Sequence, residues 1–135
     1  MNLKAIITGD LAASRKIDPK RREQLYTDLD SFLATLVPRW IVRYETYRGD
    51  SLQCESTSIQ SSLRAALMIR TYIMAYSAGG KSKSKSRTKT TKGYFNNEFD
   101  IRLAIGIGTV DFIKNSKIST SDGEAFRISG EALDS

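Results

Sequence analysis

Ile101, Leu103, Ile105 and Ile107 occupy every second position on the way to Gly108. A period of two is that of a strand with one buried face, and it predicts a β-strand over Phe99 to Val110. A helix would scatter those four side chains around its circumference. The chain therefore has to build a sheet, and the remaining segments are read as what pairs with that strand or covers it.

Leu3 to Thr8, centred on Ile6 and Ile7 and bounded by Gly9, fits a short buried central strand with Asp10 just past its end. Asp18-Pro19 offers an N-cap and a proline at the first helical position. Leu25, Leu29, Phe32, Leu33 and Leu36 then recur at helical spacing as far as Pro38. Trp40 to Tyr47 is rich in β-formers, Arg48-Gly49-Asp50-Ser51 is turn-forming, and Leu52 and Cys54 begin another strand, giving a hairpin with Asp50 at its tip. Ser58 is placed to cap a second long helix with Leu63, Ala66, Leu67, Ile69, Ile73 and Met74 as its apolar band, ending near Gly79-Gly80. A third helix starts near Gly123 and is still running at Ser135. The order β, α, β, β, α, loop, β, α predicts one α+β domain over residues 1–135: a ferredoxin-like, mainly antiparallel sheet with helices packed on one face.

Composition narrows the chemistry. The 135 residues contain no histidine and a single cysteine, Cys54. An internal disulfide, the usual structural zinc sets and the Ser-His-Asp and Cys-His arrangements are all excluded. Catalysis would have to use carboxylates, a bound metal, Lys, Arg or backbone groups. No apolar run approaches the ~18 residues that cross a bilayer, so neither a signal peptide nor a membrane span is expected, and the reading is a cytoplasmic protein. The net charge of +6 is concentrated. Six basic residues and no acidic one lie between Lys81 and Lys92, and the other fifteen basic residues equal the fifteen acidic ones. This Lys/Ser/Thr stretch has too little apolar surface to offset its ordering entropy, so 79–97 is expected to be a mobile basic loop. Nucleic-acid binding through it is conceivable by counterion release, but no aromatics are interleaved to stack bases, and a solvated loop is the better reading.

Two carboxylates, Asp10 after the first strand and Asp50 at the hairpin tip, would meet if those strands are neighbours. Hard cations such as Mg²⁺ bind through one or two carboxylates plus substrate phosphates, so such a pair beside turn amides suits a metal-nucleotide. Gly-Asp is also a common turn dipeptide, and both residues could merely cap turns.

Four successive blocks, Ile6-Ile7-Thr8-Gly9-Asp10-Leu11-Ala12-Ala13-Ser14, Tyr47-Arg48-Gly49-Asp50-Ser51-Leu52, Arg102 to Val110, and Gly123-Glu124-Ala125-Phe126-Arg127-Ile128-Ser129-Gly130, resemble the class III nucleotidyl cyclases in order and approximate spacing. The opening is also similar to that of small SatD-like bacterial proteins. The cyclase resemblance implies a two-metal Mg²⁺ or Mn²⁺ site held by Asp10 and Asp50, with the Leu11 carbonyl as a further ligand. It implies phosphates facing the amides of Ala12, Ala13 and Ser14, with Arg15 beside them, and a nucleoside triphosphate as substrate. It further implies a homodimer with sites between subunits, and Arg127 on the last helix as a transition-state group. That helix has Arg127 and Glu131 where the family places Asn and then Arg. The expected function is a metal-dependent nucleoside triphosphate-binding domain, with nucleotidyl cyclisation as its reaction; the alternative is a non-catalytic regulatory or nucleotide-sensing module of the same fold.

Overall fold

The computed structural model describes residues 3–12, 18–47, 50–76, 99–110, 112–114 and 117–135. The expected basic loop at 79–97, and Ala13, Ser14, Arg15 and Arg48, lie outside the described residues. The described chain runs β1 (Leu3–Leu11), α1 (Pro19–Leu36), β2 (Ile41–Tyr47), β3 (Ser51–Ser56), α2 (Ser62–Ala75), β4 (Ile101–Thr109), β5 (Phe112–Lys114), β6 (Lys117–Asp122) and α3 (Glu124–Asp134). It is an α+β protein. Four strands form one sheet in the order β2-β3-β1-β4, every neighbouring pair antiparallel, and β5 and β6 form a separate hairpin.

The alternation in β4 decides the register. Ile101 to Thr109 pair one for one with Leu11 to Leu3, so β1, with Ile6 and Ile7 fully buried, sits between β3 and β4. β1 extends to Leu11, which places Asp10 inside the last turn of pairing rather than beyond the strand.

Successive side chains of a strand point to opposite faces. Ile7, Leu11, Leu52, Cys54 and Ile101 face α1 and α2, where Leu25, Leu29, Leu33 and Leu36 from α1 and Ala65, Ala66, Ile69 and Ile73 from α2 complete the main core. Phe32 stacks on Tyr72, with ring centroids 4.2 Å apart, joining the two helices at their margin. The band expected along α2 is rotated: Leu63 and Leu67 are 60% and 55% exposed, while Ala65 and Ala66 are buried. The helix begins at Ser62, and Ser58 instead closes the preceding turn by accepting the Ser61 amide at 3.2 Å.

The expectation that all helices share one face is corrected here. α3 lies on the opposite face, where Ile6 meets Ala125 and Phe126 in a second, smaller core and Thr8 hydrogen-bonds Ser129 at 2.7 Å with both residues buried. Gly106 makes this approach possible, since a Cβ there would collide with the α3 backbone at Ala125 and Ser129. The chain enters α3 through Gly123 at φ 139°, a conformation that glycine adopts without strain. β6, which the sequence did not announce, leads into α3 and runs against β2 and β3 on its way.

Candidate functional site

The strand order puts the end of β1 beside the turn between β2 and β3. Asp10 pairs with Ser51, and the Leu11 amide donates to the Asp50 carbonyl at 2.7 Å. The sheet therefore brings the two predicted carboxylates to one corner. Ser51 Oγ donates to Asp50 Oδ1 at 3.2 Å, a local turn bond of the kind that short polar residues make.

Asp10 already has a cation. Arg102, its register partner on β4, donates from Nε to Oδ1 at 3.0 Å and from Nη2 to Oδ2 at 2.7 Å, a bidentate fork. Thr8 points toward α3, so Asp10, two residues on, lies on the same face. The pair is open to water, with 58% of the Arg102 side chain and 32% of that of Asp10 exposed. Asp10 raises the guanidinium pKa by hydrogen bonding and charge, and Asp134 at the end of α3 adds to the effect. An exposed pair of this kind contributes little to stability and exchanges partners readily.

Behind the corner, on the α1 side, lies Tyr26. It is 9% exposed, and its hydroxyl is buried without a hydrogen-bond partner. Burial raises its pKa first, Asp50 and then Asp10 push the same way, and Arg22 opposes them. The phenol thus stays neutral as a donor within the field of both carboxylates. Beside it, α1 and β2 enclose an open cleft of about 760 Å³ that includes Lys20, Arg22, Asp30, Ser31 and Thr46 in its walls.

The other predicted residues divide. Ala12, expected to offer its amide to phosphate, donates it to the Asp100 carbonyl at 2.8 Å instead, because β1 and β4 continue their pairing that far. Asp100 is itself gripped by Arg70 through two contacts of 2.9 Å, and this hydrogen bonding lowers its pKa. Arg127 is exposed on α3. Ser129 lies against Gly106, four residues up the strand from Arg102, so Arg127 stands about 13 Å or more along the sheet from Asp10. One chain does not bring Arg127 to its own carboxylate pair. Cys54 is fully buried in the main core, and burial raises its thiol pKa, as expected for a packing residue.

Three residues were not singled out from the sequence: Arg102, Tyr26 and Glu55. Glu55 is 2% exposed and ion-paired to Lys4 Nζ and Arg43 Nε at 3.1 Å each; the Arg43 contact lacks hydrogen-bond geometry. The partners of Arg102 and Glu55 follow from strand register, which composition does not disclose. Tyr26 alone carried a local signal, a hydroxyl within the apolar stripe of a helix.

Among the described residues no cluster of three or more potential metal-ligating side chains occurs, and no helix is long and apolar enough to cross a membrane. Compared with protein-family models and with curated proteins, the chain matches none.

The corner nevertheless has the chemistry of a cation site. Its side-chain donors are two carboxylates, and one of them already holds a guanidinium in bidentate fashion. That donor set, with the Leu11 carbonyl, fits a hard cation whose remaining ligands come from phosphate oxygens and water.

Proposed function

We propose that the chain is a ferredoxin-like domain of the class III nucleotidyl cyclase type that binds a nucleoside triphosphate, with Mg²⁺ or Mn²⁺, at the Asp10–Asp50 corner. The observation that carries this reading is the 2.7 Å bond between the Leu11 amide and the Asp50 carbonyl, which ties the two carboxylate-bearing strand ends together. The strand order and the split β-α-β connection across β1, α1 and β2 support the scaffold.

In this reading Asp10, Asp50 and the Leu11 carbonyl hold the cation, and Arg102 turns from Asp10 toward the phosphates as it enters. A divalent cation supplies charge neutralisation of the triphosphate and, for cyclisation, acidifies the ribose 3′-hydroxyl. Tyr26 donates a hydrogen bond near the carboxylates without ionising. Arg127 acts only on a site to which a second copy contributes, so cyclisation by this chain requires a homodimer. The second reading, a nucleotide-sensing module without turnover, is favoured by one observation: Asp10 is closed by Arg102.

Thermal unfolding of the wild type and Asp50→Asn, with each of the four ribonucleoside triphosphates and with or without Mn²⁺, tests the proposal. A ligand that prefers the folded state raises the midpoint according to its concentration over its dissociation constant. The expected result is a metal-dependent rise of several degrees in the wild type that Asp50→Asn abolishes. Mass spectrometry of the same mixtures then separates the enzyme, which forms a cyclic product, from the sensor, which does not. A wild type that responds to no triphosphate would end both readings.

A further inference from the structure

Two features of α1 are unfavourable as they stand, and both lie beside the cleft. Its first residues include Lys20, Arg21 and Arg22, with no acidic side chain in the first turn. Cations at a helix N-terminus face the positive end of the macrodipole, whereas anions are stabilising there. Two turns on, the Tyr26 hydroxyl is buried with no partner, and leaving such a donor unmet costs about 1–3 kcal/mol. A bound anion with acceptor oxygens would relieve both.

The cleft has the size and polarity for more than an anion. Its volume of about 760 Å³ lies inside the range of small-molecule sites, roughly 300–1,000 Å³. Lys20 and Arg22 stand at the end nearest the start of α1, while Asp30 and Ser31 lie more than a turn beyond Tyr26, and Thr46 enters from β2 close to the Asp50 turn. Cationic groups thus occupy one end, and hydroxyls with a carboxylate the other.

We infer that this cleft receives the nucleoside end of a nucleotide whose phosphates lie at the Asp10–Asp50 corner. Tyr26 donates to a phosphate oxygen at the junction, while Thr46, Ser31 and Asp30 meet the sugar and base. The inference rests on the proposed nucleotide reading and adds where the nucleoside goes and which residues meet it. α1 and β2 thereby become the elements that tell a nucleotide from bare polyphosphate.

Titration calorimetry with Mn²⁺ and each ribonucleoside triphosphate, and with Mn²⁺ and inorganic tripolyphosphate, tests it on the wild type, Tyr26→Phe and Thr46→Val. The wild type should bind at least one nucleotide more tightly than tripolyphosphate. Thr46→Val should weaken that nucleotide several-fold and leave tripolyphosphate unchanged. Tyr26→Phe should weaken both by about 5- to 10-fold, the loss of one hydrogen bond, while raising the ligand-free unfolding midpoint because an unmet donor is gone. Equal binding of nucleotide and tripolyphosphate, insensitive to Thr46→Val, overturns the cleft and leaves the corner standing as a phosphate site. A lower ligand-free midpoint in Tyr26→Phe with unchanged affinities overturns the role of the hydroxyl. Failure of the wild type to bind either probe removes the nucleotide reading and this inference together.

Discussion

The two faces of the sheet are built on different principles. Toward α1 and α2 the sheet presents Ile7, Leu11, Leu52, Cys54 and Ile101 to two long helices, and the contact is apolar throughout its centre. Toward α3 the second core contains only Ile6, Ala125 and Phe126, flanked by the Thr8–Ser129 bond, the Glu55 ion pairs and the Asp10–Arg102 fork. Hydrophobic burial grows with area and needs no particular geometry, whereas polar pairs need register and distance. The first face thus supplies stability, and the second fixes where groups stand. The candidate site lies where β1 and β3 end, with Tyr26 reaching it from the first face and Asp10 from the second.

The largest test of that contrast is Leu29→Ala. Leu29 is fully buried beneath the sheet, and removing it should destabilise the chain by about 3 kcal/mol through lost transfer energy and a residual cavity, measured by urea unfolding. A loss below about 1 kcal/mol would mean that the α1 face is not the main source of stability.

On the other face, Thr8→Val keeps shape and removes the hydroxyl that meets Ser129. Ser129 Oγ keeps its bond to the Phe126 carbonyl at 3.1 Å, so its donor is still satisfied. The expected cost is about 1 kcal/mol by the same unfolding measurement, with urea m-value unchanged. A cost equal to that of Leu29→Ala would erase the distinction between the faces.

Most of the first face was legible in the sequence, and most of the second was not. Alternation at Ile101 to Ile107 and helical spacing from Leu25 to Leu36 each report a buried surface through a local period, which needs no knowledge of the partner. The pairing of the Asp10 and Asp50 strands could be anticipated from the element order. What faces Asp10 could not, because Arg102 reads as an ordinary exposed strand residue until β1 and β4 are set in register. The position of α3 was hidden for a similar reason. The signal is Gly106, and a glycine in a strand does not say which backbone comes close to it. Leu63 and Leu67 misled in the opposite direction, since large apolar residues can lie at helical spacing and still face outward.

The smallest expected effect on stability, and the sharpest probe of the second face, is Arg102→Ala. The guanidinium is exposed and its ion pair with Asp10 is screened by water, so the ligand-free midpoint should barely move. The response to Mn²⁺ without nucleotide should increase, because Asp10 loses the cation that competes for both of its oxygens. The response to Mn²⁺ with a triphosphate should increase less, since the phosphates then lose a guanidinium. Isothermal titration with Mn²⁺ alone reads the first effect directly. Unaltered Mn²⁺ affinity in Arg102→Ala would mean that a cation at this corner does not use Asp10, and would leave the Asp10–Arg102 fork as a strand-to-strand clamp on the α3 face.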